Sequence, residues 1–305
     1  MKQDLGGVFN VISTPLLDDD RIDHATLAGE IDWLLKCGSN GLVLAMVSEV
    51  LRFSAHERRE QWQSVLTCVA GRVPVVTSVG SESTAISTSL ARAAEEDGAS
   101  ALMATPPSAF AATDEEILKY YVALIESVEI PVIIQDASNY LGKPLDIGMY
   151  VELLDTYGNT RVQFKPEAKP VVDRLKLLNE ASGNRARVFE GQGGIDLLGT
   201  FPLGVVGSMP GAEVPWALLA LWKALVAGDT KRAEEIHAPL AKLVSFQTTL
   251  DGYVAVEKYL LVKQGVFTSA RQRGPVGFAI GDEVRNAIDQ AYTELTEVIP
   301  PLKFG

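Results

Sequence analysis

Lys165 follows four residues of strand-like pattern, Arg161-Val162-Gln163-Phe164, and precedes Pro166-Glu167. A lysine at the end of a buried strand loses hydration, which lowers its pKa and leaves some free amine near neutrality. A free amine condenses with a ketone to give a Schiff base. Glu167, two residues on, is close enough to serve the same centre as acid or base. Pro166 has no N–H to give to a ladder and is expected to end strand pairing there. A lysine after a strand is most often simply solvent-exposed, so the surrounding elements decide its role.

Those elements alternate. Apolar strand-like runs at residues 8–13, 41–47, 73–79, 99–104, 130–134, 161–165, 187–190 and 204–207 are separated by helical patterns at 24–37, 54–70, 82–97, 113–127, 146–157, 170–181, 195–201 and 215–227. Ser54-Ala-His-Glu57 and Thr113-Asp-Glu-Glu116 match capping boxes at two of the helix starts. Strands joined by helical crossovers are parallel. Eight such units in succession predict a closed α/β (β/α)8 TIM barrel over residues 1–228. An open doubly wound sheet is the rival, but the turn after its first strand would carry a glycine fingerprint, and Ser13-Thr14-Pro15 stands there. Residues 229–305 read as a C-terminal helical extension, with helices at 229–246, 253–265 and 282–297.

In such a barrel, groups at the carboxyl ends of strands converge on one mouth. Lys165 ends strand six. Ser48 and Glu49 follow strand two, Gln135 and Asp136 follow strand five, and Gly191 follows strand seven. Simpler roles stand beside these: Asp136 could form an Asx turn, Glu167 could open a helix, and Gly193-Gly194 could be a turn whose amides face an anion.

Composition narrows the partners. The chain has 305 residues, 47% hydrophobic and 22% charged, with a net charge of −12 and no basic run. That balance suits a globular enzyme and excludes the basic patch a nucleic acid requires. No apolar run reaches the length of a membrane span, and Met1 to Asp4 is polar with no apolar region following, so a cytoplasmic location is expected. Two cysteines, Cys37 and Cys68, form no disulfide framework. His24, His56 and His237 lack ligand spacing, so no metal is expected.

In order and spacing these motifs resemble the dihydrodipicolinate synthase/N-acetylneuraminate lyase family of class I aldolases, across essentially the whole chain. The resemblance is carried by Thr14-Pro15, by Ala45-Met46-Val47-Ser48-Glu49 where the family usually has Gly-Thr-Thr-Gly-Glu, by Thr105-Pro106, by Pro131-Val132, by Lys165 and by Gly191. It implies that Lys165 is the Schiff-base lysine, that the substrate is a 2-keto acid and that the covalent imine replaces any cofactor. It also implies backbone contact from Gly191, a carboxylate held by the amides and hydroxyl at Val47 and Ser48, and a homo-oligomer, dimer or tetramer.

The departures are as informative. Gln135-Asp136 replaces the Tyr-Asn whose tyrosine shuttles protons in typical members. Pro107 or Ser108 stands where synthases reach a tyrosine across an interface, and the carboxylate-gripping arginine of the synthases falls near Tyr140. Met46-Val47 removes two threonine hydroxyls from the same relay. Dihydrodipicolinate synthesis is therefore not expected. Lys165-Pro166-Glu167 with Gln135-Asp136 instead resembles the branch that includes L-2-keto-3-deoxyarabonate dehydratase, in which the glutamate takes over the acid–base work. Gln135 could hydrogen-bond a substrate hydroxyl but cannot act as a base. The expected reaction is dehydration of a 2-keto-3-deoxy sugar acid to α-ketoglutaric semialdehyde. The alternatives are an aldolase releasing pyruvate and a keto-acid-binding relative without turnover.

Overall fold

Strand residues alternate between two apolar environments, and this alternation aims the functional side chains. Val43, Val76, Ala101, Met103 and Ile133 join Leu5, Phe9, Val11, Phe189 and Met209 in an inner cluster. Their neighbours Leu42, Leu44, Val75, Leu102, Val132 and Ile134 join the outer layer between strands and helices. That is the period of two expected for strands buried on both faces.

A computed structural model describes residues 5–109 and 111–304. Residues 1–4, on which the expected cytoplasmic location partly rests, lie outside the described residues, as does residue 305 at the end of the expected helical extension. The elements run β1 (Gly7–Val11), α1 (His24–Cys37), β2 (Gly41–Leu44), α2 (Ala55–Val69), β3 (Val75–Ser78), α3 (Thr84–Glu96), β4 (Ala101–Ala104), α4 (Asp114–Glu126), β5 (Val132–Asp136) and α5 (Ile147–Tyr157). They continue with β6 (Val162–Pro166), α6 (Val171–Ser182), β7 (Phe189–Glu190), α7 (Leu197–Thr200), β8 (Gly207–Ser208), α8 (Pro215–Val226), α9 (Thr230–Val244), α10 (Leu250–Lys263) and α11 (Asp282–Val298).

All strand pairs are parallel, in the order β6-β5-β4-β3-β2-β1-β8-β7. The two ends meet: Phe164 bridges Val188, and the Phe164 amide donates to the Arg187 carbonyl at 2.9 Å. The sheet is therefore the (β/α)8 barrel read from the sequence, and the open-sheet alternative falls.

Three local expectations needed correction. The run at 41–47 stops pairing at Leu44, and Met46–Ser48 turns as a 3-10 helix. The last strand is Gly207–Ser208 rather than 204–207, because Phe201–Leu203 is a 3-10 turn capped by Gly204 at φ 84°. Pairing does not stop at Lys165, because Pro166 is itself the last residue of β6. It lies opposite Asp136, and the ladder continues through the Glu167 amide to the Asp136 carbonyl at 2.9 Å. Alternate amides of a strand serve opposite neighbours. Phe164 bonds toward β7 and Glu167 toward β5, so the N–H that Pro166 lacks would have pointed to the side where the ladder has already stopped.

The capping box at α2 is complete, with Ser54 and Glu57 each accepting from the other's amide. At α4 Thr113 caps the Glu116 amide, while the Glu116 carboxylate turns to Lys119. Among the C-terminal helices, α9 packs on α8 and α11 on α9, while α10 lies against the Met46–Ser48 turn at the barrel mouth.

Candidate active site

The register of β5 and β6 builds the centre. Gln135 lies opposite Lys165, and the period of two points Gln163, Lys165 and Glu167 inward while Val162 and Phe164 face the helices. Pro166 keeps the chain extended for one more residue, which brings Glu167 back to the lysine's side. The Lys165 Nζ lies 3.3 Å from Glu167 Oε1, with both side chains almost wholly buried. Gln135 Nε2 donates to the other oxygen, Glu167 Oε2, at 2.7 Å. The carboxylate is thus fixed at both ends.

Burial pushes the Glu167 carboxyl above the ordinary carboxylate range, and the Lys165 cation and the Gln135 amide offset part of that rise. A carboxyl in this environment can give and take a proton closer to neutrality than a free one. α6 begins at Val171 on a Pro170 cap, so Glu167 opens no helix and its side chain enters the mouth.

Gly191 closes the opposite side. A Cβ there would lie 2.8 Å from Lys165 Cε and 2.8 Å from Glu167 Cγ, so only glycine lets the chain pass this close. The narrow cavity above the lysine is lined by Val47, Gln135, Lys165, Glu167 and Gly191 of the expected set, with Glu167 its one carboxyl among the described residues.

Ser48 is placed differently from expectation. Its hydroxyl donates to the Ile12 carbonyl at 2.5 Å and accepts from the Ala45 amide at 3.0 Å, and its own amide bonds the Ala45 carbonyl. Thr14 and Gln61 hold its carbonyl. Ser48 therefore pins the turn after β2 and has no hydroxyl to offer a substrate carboxylate. Asp136 is likewise structural. It accepts from the Ser138 amide in an Asx turn at 3.0 Å, from the Leu145 amide at 2.8 Å and from the Tyr150 hydroxyl at 3.2 Å.

The Gly193-Gly194 turn does hold an anion, and it is an internal one. The Glu190 carboxylate accepts from the Gln192 and Gly194 amides and from the Ser208 hydroxyl, the last at 2.6 Å. Burial is the largest influence on Glu190 and raises its pKa.

Three further groups complete the mouth. Tyr140 and Tyr253 line the inner cavity and also border an outer chamber of about 440 Å³ that includes Asn139, Lys169, Gln192 and Gln247. Leu250 joins them from the first turn of α10. Tyr140 carried one sequence signal, that it falls near the place of the carboxylate-gripping arginine of the synthases. Tyr253 carried none, because it reaches the barrel only through the packing of α10. That helix is anchored by a buried pair, Lys258 Nζ to Glu49 Oε2 at 2.5 Å, and Glu49 Oε1 also accepts from the Arg273 amide at 2.8 Å.

The sequence matches the dihydrodipicolinate synthetase family over residues 4–294. The chain belongs to that family. It is 27% identical over 278 residues to an L-2-keto-3-deoxyarabonate dehydratase of Azospirillum brasilense, covering 88% of each chain. It is 28% identical over 253 residues to a 4-hydroxy-tetrahydrodipicolinate synthase of Thermomicrobium roseum, covering 80% of this chain and 81% of that one. In structure it resembles the Escherichia coli K12 family member YagE, solved with pyruvate, at a TM-score of 0.86 and 22% identity over 97% of this chain and 99% of that one. Membership accounts for the barrel, and no helix among the described residues is long and apolar enough to cross a membrane. It does not by itself choose between the two activities borne by the relatives.

Proposed function

We propose that the protein is a Schiff-base hydro-lyase that dehydrates a 2-keto-3-deoxy sugar acid, with L-2-keto-3-deoxyarabonate as the first substrate to offer it. The observation that carries this reading is the fixed triad of Lys165, Glu167 and Gln135, in which a buried carboxyl stands 3.3 Å from the amine and an amide occupies the place of a proton-shuttling tyrosine. The Azospirillum dehydratase relative supports the same choice, and the pyruvate held by YagE supports a 2-keto acid.

Lys165 Nζ attacks C2 of the keto acid and water leaves, giving an iminium that needs no added cofactor. The Val47 amide receives the substrate carboxylate. The iminium acidifies the C3 proton, and Glu167 removes it to give an enamine. The enamine expels the C4 hydroxyl. Loss of a C5 proton, reprotonation at C3, tautomerisation of the enol and hydrolysis of the imine release α-ketoglutaric semialdehyde.

Retro-aldol cleavage is the competing reading, because a phenol, Tyr140, also borders the cavity. Cleavage needs a base for the C4 O–H. Burial and the nearby Glu167, Glu190 and Glu213 carboxylates keep the Tyr140 phenol protonated, so it is a poor base and dehydration is favoured.

Borohydride reduction during reaction with the keto acid, followed by mass spectrometry, tests the central step. An adduct on Lys165 together with released semialdehyde supports the dehydratase. Released pyruvate with a free aldehyde replaces it with an aldolase, and no adduct refutes the Schiff base. Glu167→Gln should keep the adduct and lose turnover by about 10²- to 10⁴-fold. Undiminished turnover would remove Glu167 from the mechanism.

A further inference from the structure

The elimination step itself takes a proton from C3 and delivers one to the departing C4 hydroxyl, and the triad supplies a group for only the first. Glu167 Oε1 faces Lys165 Nζ, which places it beside the C2–C3 end of the imine, while Oε2 is held by Gln135. The hydroxyl that leaves is on C4, one bond further from the lysine and toward the opening. Two side chains, Tyr140 and Tyr253, are shared by the lining of the inner cavity and of the outer chamber, so they form the neck between them. A keto acid tethered at C2, with its tail in the outer chamber, passes its fourth carbon through that neck.

The two phenols differ in surroundings. Tyr253 sits on α10 with its ring against Gly211, where an added Cβ would lie 3.1 Å from Cε1, and burial together with Glu213, Tyr140 and Glu257 raises its pKa. Its hydroxyl also lies close against Gly193, where an added Cβ would come within 2.9 Å. Tyr140 stands on the short loop after β5, with its amide bonded to the Ala137 carbonyl, and it feels the Glu167 carboxylate more strongly than any other charge. It follows β5, the strand whose Gln135 holds the Glu167 carboxylate, whereas the Tyr253 hydroxyl is turned to Gly193, so Tyr140 is the phenol on the side of the working acid–base group.

We propose that Tyr140 is the catalytic acid that protonates the departing C4 hydroxyl, an assignment that rests on the dehydratase reading above. As the C4–O bond breaks, the electron pair of the enamine forms the C3–C4 double bond. The Tyr140 O–H proton goes to the leaving oxygen, which departs as water. The tyrosinate is then reprotonated by the proton that Glu167 took from C3, so no external donor is needed. Burial and the Glu167, Glu190 and Glu213 carboxylates raise the Tyr140 pKa, so the phenol enters the step protonated, and it yields the proton only as negative charge develops on the departing oxygen and as protonation of Glu167 removes one of those charges.

The test compares leaving groups. Wild-type, Tyr140→Phe and Tyr253→Phe proteins are given 2-keto-3-deoxyarabonate and its analogue with fluorine in place of the C4 hydroxyl, because fluoride departs with little need of a proton. Borohydride trapping on Lys165 is measured in parallel. Tyr140→Phe should lose about 10²- to 10⁴-fold in elimination of water, eliminate fluoride within several-fold of wild type, and trap the keto acid normally. Tyr253→Phe should treat both leaving groups alike. Equal losses on both substrates in Tyr140→Phe, no loss on either, or a water-specific loss in Tyr253→Phe instead would overturn the assignment while leaving the dehydratase reading intact. A wild-type protein that forms the adduct and eliminates neither group would overturn the dehydratase reading and the assignment with it.

Discussion

Gly191→Ala is the sharpest probe of the lysine's geometry, because the added methyl has a computable destination. It would lie 2.8 Å from Lys165 Cε, 2.8 Å from Glu167 Cγ and 3.0 Å from Glu167 Oε1. Carbon atoms in contact prefer about 3.5–4.0 Å, so each carbon contact is short by at least roughly 0.7 Å. Glu167 has little room to yield, since Gln135 holds one oxygen at 2.7 Å and the Glu167 amide is tied to Asp136 at 2.9 Å. The lysine side chain must move. A displacement on the order of 1 Å from attack geometry costs about 10²-fold in rate, equivalent to about 2.7 kcal/mol of barrier. The overpacking itself should destabilise the fold by about 1–3 kcal/mol. Rapid-quench borohydride trapping should therefore show slow adduct formation on Lys165, and turnover should fall in parallel. Urea unfolding would confirm that the variant remains folded at assay temperature. Trapping and turnover within about threefold of wild type would refute the reasoning, since the glycine would then not be what permits the lysine's position.

Three other perturbations separate structural from chemical roles. Ser48→Ala should destabilise by about 1–3 kcal/mol, because it strips the Ala45 amide and Ile12 carbonyl of their partner, and should leave KM unchanged; a raised KM would return the hydroxyl to the substrate site. Lys258→Met leaves the buried Glu49 carboxylate without its cation and should cost about 3–5 kcal/mol in urea unfolding, with Glu49→Gln recovering part of the loss in the double variant. Glu257 is buried with a pKa well above the ordinary range, so the folded state binds a proton that the unfolded state has released over that interval. Stability should then fall as pH rises from the ordinary carboxylate range through the folded-state pKa, and Glu257→Gln should flatten that dependence in thermal unfolding scans; parallel pH profiles for both proteins would contradict it.

The elements that were legible in the sequence are those set by short-range pattern. β6 and the placement of Lys165 followed from alternation, and Gly191 from its position after a strand. What escaped depends on register and on distant chain. The pairing of Gln135 with Lys165 is a matter of strand alignment, which no local signal in either segment carries. Pro166 was misjudged because the cost of its missing N–H depends on which neighbour that edge faces, and the β7 ladder stops before reaching it. Ser48 was assigned to substrate because it follows a strand in the right motif, yet the 3-10 turn at Met46–Ser48 folds its hydroxyl back onto β1 and the turn's own start. Tyr253, near the start of α10, enters the mouth through tertiary packing anchored by Lys258 and Glu49, which lie 209 residues apart.

The mouth of this barrel is crowded with buried acids, and their partners decide which one can do chemistry. Glu190 is consumed by Ser208 and the amides of Gln192 and Gly194. Glu213 accepts from Gln247 at 2.9 Å, and Glu257 from the Ala212 amide at 2.7 Å, so both hold the β8–α8 segment to α10 and the loop before it. Glu49 is paired with Lys258. Each of these carboxyls holds a loop or helix to the barrel and is absent from the lining of the reactive cavity. Glu167 alone lines that cavity beside the one lysine in it, with an amide donor on its far oxygen to fix its direction. A buried carboxyl is costly wherever it sits. Burial raises the pKa of Glu190, Glu213 and Glu257 as it does that of Glu167, and Oε2 of both Glu213 and Glu257 has no hydrogen-bond partner among the described residues; what sets Glu167 apart is its place, 3.3 Å from the Lys165 amine, where the proposed proton abstraction would occur.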